Sequence, residues 1–215
     1  MTKTLQIDFV SDVACPWCAV GLNAFERALE RLKQVAPDIE VELRMQPFEL
    51  NPTMPPEGAD TVQYLSEKYG IDEAQIRVNQ KRIREMGAAV GFTFGERARV
   101  WNTFDAHRLL HWAGLQGKQR ELKHALLTAY HGEGRNPGSY LVLVDLAGAV
   151  GLDRLEAARI LDNDTYADEV RAAEREWQAA GISSVPSVVV NGRHLIQGAQ
   201  PPETFAQALR QIAAG

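Results

Sequence analysis

The 215-residue chain has two cysteines, Cys15 and Cys18, in the run Cys15-Pro16-Trp17-Cys18. The run stands where an apolar stretch, Leu5–Val10, gives way to a helical pattern that begins near Pro16. Thiols at this spacing, on a strand-to-helix junction, can share one helix face and close a small disulfide. The first helical turn adds unpaired N–H groups and a partial positive charge. Both favour a thiolate, and thiols in such motifs titrate at roughly 3.5–7.5. Cys15 is therefore the expected nucleophile of thiol–disulfide exchange, and Cys18 the thiol that resolves the mixed disulfide. Zinc is a weaker reading, because it needs four ligands and no histidine is close in sequence. A structural disulfide and two inert buried thiols are the remaining alternatives.

The elements that position this pair can be read from periodicity. Leu5–Val10 suits a strand, and Pro16–Gln34 a helix whose Leu22, Phe25, Leu29 and Leu32 recur at spacings of three and four. Pro16 fits a first helical position, where its missing N–H costs nothing. Val41, Leu43 and Met45 alternate with charged residues, so Ile39–Phe48 reads as a second strand. Prolines 47, 52, 55 and 56 then mark a boundary. From Asp60 to about Asp164 the pattern is helical almost throughout, with Gly residues as punctuation and much charge near Thr61 and Asp72. Another helix is expected over Asp168–Ala180, and Asn191-Gly192 joins two short apolar runs as a hairpin turn. A last helix starts at Pro201-Pro202. A right-handed crossover makes the first two strands parallel. The expectation is an α/β fold: a four-stranded mixed sheet in a discontinuous unit, 1–52 and 165–215, with an all-helical insertion over 53–164.

Composition excludes several classes. Apolar residues make up 45% and charged residues 24%, enough apolar surface for a packed core. The net charge of −5 argues against nucleic acid and anionic membranes as partners, since both need a basic surface. Two cysteines cannot staple a secreted scaffold. The N-terminus lacks a charged-plus-apolar leader pattern and no apolar run is long enough for a membrane span, which reads as a cytoplasmic protein.

These motifs together carry a resemblance. Cys15-Pro16-Trp17-Cys18 after a first strand, and Ser184-Val185-Pro186 before a hairpin and terminal helix, resemble a thioredoxin-fold oxidoreductase. The helical insertion is similar to that of the DsbA family. Asp12–Gly21, Pro47–Pro52, Asn102–Leu109 and Ile196–Pro201 resemble its FrnE-like branch, related to 2-hydroxychromene-2-carboxylate isomerase and the kappa-class glutathione transferases. The resemblance implies a dithiol–disulfide oxidoreductase or isomerase. It also implies a cis Val185–Pro186 bond facing the cysteines, with the Val185 backbone free to pair with a substrate chain. Substrates would be disulfide-containing proteins or low-molecular-weight thiols; no cofactor is required, with glutathione a candidate thiol partner. The kappa-class relatives usually carry Ser where Cys15 stands, so two thiols favour redox chemistry. A glutathione-dependent isomerase or transferase, and a redox-sensing or chaperone-like binding module, remain the alternatives.

One departure concerns the acid that related folds bury beneath the cysteines. Its place, six residues before Cys15, is Phe9, and Asp8 faces the other way. Asp12 is left, either as a proton relay that would raise the thiol pKa or as the cap of the coming helix. Trp17 either shapes the substrate surface or packs over the sulfurs. His107 and His111 share a helical face; a metal pair there lacks further ligands, so His107 is expected to line the cleft between bundle and sheet or to be an ordinary helix histidine. His124, His131 and His194 read as surface or interface residues. Phe48, Trp101 and Phe104 are candidates for an apolar wall opposite Cys15, or plain core.

Overall fold

A computed structural model describes residues 3–215. The chain runs β1 (Lys3–Ser11), α1 (Pro16–Val35), β2 (Ile39–Pro47), β3 (Ala59–Asp60), α2 (Thr61–Tyr69), α3 (Glu73–Ala89), β4 (Arg99–Val100), α4 (Phe104–Leu115) and α5 (Gln119–Leu127). After a single π turn, Thr128–Gly132, come α6 (Tyr140–Ala149), α7 (Arg154–Asp162), α8 (Ala167–Ala179), β5 (Ser187–Val190), β6 (His194–Gln197) and α9 (Pro202–Ala214).

The four-stranded mixed sheet has the order β2-β1-β5-β6. β2 lies parallel to β1, in the register Leu5 with Val41, whereas β5 is antiparallel to both β1 and β6. The hairpin turn sits where the sequence puts it: Asn191 and Gly192 both have positive φ, 53° and 64°. That is the pairing a tight two-residue turn demands.

Alternation along the strands decides how the layers pack. Leu5, Ile7 and Phe9 are buried on one face with Val188 and Val190, against Leu22 and Phe25 of α1 and Phe205 and Leu209 of α9. The aromatic rings there stack in series, Phe9 on Phe25 at 6.0 Å and Phe25 edge-on to Phe205 at 5.1 Å. Burial of this face is worth about 25 cal/mol per Å² of apolar surface and fixes the register, because a one-residue slip would turn Phe9 to the other side. A second core gathers Leu109, Leu122, Leu126, Tyr130, Leu143 and Ile160 from α4–α7. Val13 and Ala14, from the β1–α1 junction, belong to this second core. A third, on the opposite sheet face, holds Val10, Phe48, Ile182 and Val189, with Val185 packed against it. The junction that carries Cys15 is therefore held by all three.

Two expectations need correction. The segment between β2 and α8 is not all-helical: Ala59–Asp60 pairs antiparallel with Arg99–Val100. Two-residue strands are too short to show alternation, and Arg99 ties this ladder further by donating to the carbonyls of Glu57 and Gly58. The spacing of Leu122, Leu126 and Tyr130 predicts a helix over Lys118–Tyr130, but the chain leaves α geometry after Leu127, passing into the π turn. Among the described residues, no helix is long and apolar enough to cross a membrane.

Candidate active site

Cys15 is the N-cap of α1, with φ −88° and ψ 114°, and Pro16 fills the first helical position. The Cys18 N–H donates to the Cys15 carbonyl at 3.0 Å, winding the pair into the first turn. Both thiols are free. Cys15 is 4% exposed and Cys18 0%. Trp17 is half-buried between them.

The two thiols are polarised apart. The hydrogen bond from the Cys18 side chain, with the backbone N–H groups of Cys18 and Trp17, holds the Cys15 thiol below the ordinary range, against burial and the nearby Asp12 charge. Burial, and then the bond to Cys15, push Cys18 well up. The Cys15 thiol is thus lowered and the Cys18 thiol raised, in opposite directions from their common ordinary value.

The Val185–Pro186 bond is cis, and the Val185 carbonyl oxygen lies 3.6 Å from Cys15 Sγ. The loop is anchored from below by Gly198 N–H, which donates to Pro186 O at 2.8 Å, and by Ser187 Oγ, which donates to Ser184 O at 2.8 Å. Gly21, one turn past Cys18, lets the loop approach: a Cβ at this position would stand 2.8 Å from Pro186 Cγ.

Beneath the junction, Asp12 is fully buried and tied to three segments. Its Oδ1 accepts from Ala14 N–H at 3.0 Å and Thr103 Oγ1 at 2.7 Å, and faces His107 Nε2 at 3.3 Å. Its Oδ2 accepts from Leu50 N–H at 2.7 Å. Burial alone would raise this carboxyl, but the bonds from His107, Leu50 and Ala14 and the His107 charge carry it below its ordinary value. The capping role considered for Asp12 is not found: α1 has no side-chain cap bond, because the Asp12 oxygens are spent on Leu50, Thr103 and His107 as well as on Ala14. Phe9 is fully buried in the sheet core, and Asp8 accepts from Gln46 Nε2 at 2.6 Å away from the cysteines.

The other candidate residues fall in different places. His107 is buried against Asp12 and borders a cavity beside β2. His111 borders the same cavity and packs on Tyr166 at 5.0 Å. His124 pairs with Glu26 at 2.9 Å, and His194 is exposed. His131 is not a surface residue: it is 2% exposed and its Nε2 donates to Val13 O at 2.8 Å. Burial and the charge of Arg97 push it down to about 3. The π turn and Tyr130, 4.6 Å away ring to ring, rotate it inward. Phe48, Trp101 and Phe104 meet three different partners. Phe48 packs in the third core, Trp101 against Tyr130, and Phe104 beneath the Arg171 guanidinium at 3.7 Å.

Sequence reasoning missed several residues at this site. Thr103 carries no chemical motif. Arg97 donates to Ala14 O at 3.1 Å from a loop with no recognisable pattern. Arg171 bridges Glu49 and Glu174. Lys123 is 1% exposed, and it could have been found, because it stands three and four residues before Leu126 and Leu127 on the buried stripe of α5.

Residues 6–210 match the profile described as the DSBA-like thioredoxin domain. The chain belongs to that family. The Bacillus subtilis protein YwbO is 31% identical over 209 residues, 96% of each chain. A probable DsbA oxidoreductase from Streptomyces coelicolor superimposes with a TM-score of 0.89 at 36% identity, over 98% of this chain and 90% of that one. The cytosolic disulfide reductase DsbM of Pseudomonas aeruginosa, solved with GSH, shares the fold. It has a TM-score of 0.66 and 17% identity, over 98% of this chain and 100% of that one.

Proposed function

We propose that this DsbA-family protein is a thiol–disulfide oxidoreductase or isomerase with Cys15 as nucleophile and Cys18 as resolving thiol. The observation that carries the reading is the opposite tuning of two adjacent sulfurs at a helix N-terminus, one of them 3.6 Å from the Val185 carbonyl.

In the reductive direction the Cys15 thiolate attacks one sulfur of a substrate disulfide. The substrate S–S bond breaks, one substrate thiolate leaves and takes a proton, and a Cys15–substrate mixed disulfide forms. Cys18 then attacks Cys15 Sγ. The mixed disulfide breaks, the second substrate thiolate leaves, and a Cys15–Cys18 disulfide remains. The substrate has gained two electrons and the protein has lost them. Run backwards, the same steps oxidise a substrate dithiol. Asp12 tunes Cys15 by opposing its thiolate, and Pro186 holds the loop against α1. Pro16, Trp17, Val185, His107, Phe48 and Phe104 border or support the substrate surface, with the Val185 backbone pairing to an extended substrate segment. The substrates are disulfide-containing proteins or small thiols, with glutathione, present in the DsbM structure, the candidate small thiol. Residues 53–164 form one insertion in a split 1–52 and 165–215 unit. The cytoplasm, where DsbM is named as acting, is the compartment we assign.

Insulin reduction by dithiothreitol tests this. Cys15→Ser should abolish catalysed turnover, and Cys18→Ser should accumulate a mixed disulfide detectable by mass spectrometry. Full turnover in Cys15→Ser would overturn the reading.

A further inference from the structure

Among the described residues two long basic side chains are buried, Arg108 in α4 and Lys123 in α5. Arg108 is fully provided for: it pairs with Asp105 at 2.7 Å and donates to the carbonyls of Ile160, Asn163 and Thr165. Lys123 is 1% exposed, and among the same residues no hydrogen bond and no carboxylate within 4 Å reaches its ammonium. Asp12, whose charge is felt there, spends its oxygens on Ala14, Leu50, Thr103 and His107. An ammonium withdrawn from water without a partner is costly, so the space that Lys123 borders is where a partner would stand.

That space is a cavity of about 500 Å³ between β2, α4, α5 and α8, within the size range of small-molecule sites. Its buried lining joins apolar Met45 and Leu110 to Lys123 and His107, and half-buried Leu43 and Ala173 extend the apolar part. It opens to the surface at Leu115, which is 63% exposed. Most other charges on its lining are already matched. Arg44 faces Glu42 at 3.6 Å, Arg120 pairs with Glu26, and Glu121 with Lys118 at 3.1 Å. His107 is held on Asp12 through Nε2. Glu169 is exposed, where water and salt screen it, whereas the charge of a buried lysine is screened far less. The cavity thus offers one unmatched buried cation beside an apolar wall.

We propose that this cavity is a binding site for an amphipathic organic carboxylate, whose anionic group pairs with Lys123 and whose apolar stem lies along Leu43, Met45 and Leu110. A single ammonium with three donors matches one carboxylate. A phosphate dianion would ask for a second cation, and Arg44 and Arg120 are exposed and already paired. Burial lowers Lys123 from the usual lysine range, and a carboxylate against it opposes that shift by favouring the ammonium. Neither cysteine borders the cavity, so the site is separate from the dithiol and does not rest on the dithiol reading.

Titration of the methionine methyl NMR signals with hexanoate tests this, since Met45 lines the cavity and Met54 and Met86 do not. Met45 should shift saturably while Met54 and Met86 stay in place. Hexanamide, with the same stem and no charge, should bind at least about tenfold more weakly. Lys123→Met should weaken hexanoate by about tenfold to a hundredfold, the worth of one hydrogen bond to a charged group. Ala173→Phe, which fills the cavity from α8 and leaves Lys123 in place, should weaken it too, and decides the matter where Lys123→Met does not fold. Cys15→Ser should bind hexanoate as the wild type does, which keeps this result apart from any failure of the dithiol reading. No saturable shift of Met45, equal binding of hexanamide, or unchanged affinity in the folded cavity variants would overturn the proposal. Loss of binding in Cys15→Ser would place the ligand at the thiols and overturn it as well.

Discussion

Replacing Asp12 with Asn keeps the size of the side chain and removes its charge, which leaves its hydrogen-bond donors short of acceptors. If the amide oxygen stays on the Ala14, Thr103 and His107 side, the new NH₂ group points at the Leu50 N–H, and two donors face each other without an acceptor. In the flipped orientation Leu50 is satisfied, but the NH₂ group faces the Ala14 N–H; only Thr103 and His107 can reorient to accept. Each orphaned buried donor costs about 1–3 kcal/mol, so a pose with two of them loses about 2–6 kcal/mol. For a chain of this size that lowers Tm by roughly 4–24 °C. The pH dependence gives a second handle. The folded Asp12 carboxyl lies below its ordinary value, so its stabilisation is present above about pH 4 and is lost as pH falls through the folded value. The gap between wild type and Asp12→Asn, measured by urea unfolding, should therefore be widest at about pH 5–8 and close in acid. In the same variant Cys15 should alkylate with a lower pH midpoint, because the opposing charge has gone. Stability equal to wild type at neutral pH, or a gap that widens in acid, would refute the reasoning.

Gly21→Ala is expected to behave unlike most such helix substitutions. Alanine in an open helix interior gains about 1 kcal/mol, but here the new Cβ meets Pro186 Cγ at 2.8 Å and overpacking costs about 1–3 kcal/mol. Melting should show no gain and insulin reduction should fall as the Val185 carbonyl is displaced; higher stability with full activity would contradict this. His131 stays neutral in the fold down to about 3, whereas an unfolded histidine titrates near about 6.5. The unfolded state therefore binds more protons between these values. The wild type should lose up to about 1.4 kcal/mol per pH unit there relative to His131→Gln. Parallel pH profiles for the two proteins would show that His131 is not the acid-labile group.

The division between what was legible and what was hidden tracks sequence distance. The Cys15–Cys18 turn, the Asn191-Gly192 hairpin and the amphipathic helices are encoded within a few residues, where spacing and turn chemistry act directly. Asp12 has partners 38, 91 and 95 residues away, and no local signal separates a helix cap from a buried hub. His131 is buried because a π turn rotates it inward, and a one-residue expansion of a helix leaves no mark in an apolar period. Lys123 is the instructive intermediate. Its place on the Leu126 and Leu127 stripe was visible, but a lysine stem on a helix flank more often runs along apolar surface to reach water. Only the packing of α4 and β2 beside α5 leaves it buried, at the edge of the cavity they share. The residues nearest the sulfurs were thus legible as chemistry, while those that set their protonation come from segments the fold alone brings together. The long-range packing that fixes the junction is in this way also what tunes Cys15 against Cys18, so substitutions remote in sequence, at Thr103, His107 or Lys123, should alter thiol chemistry without touching the cysteine motif.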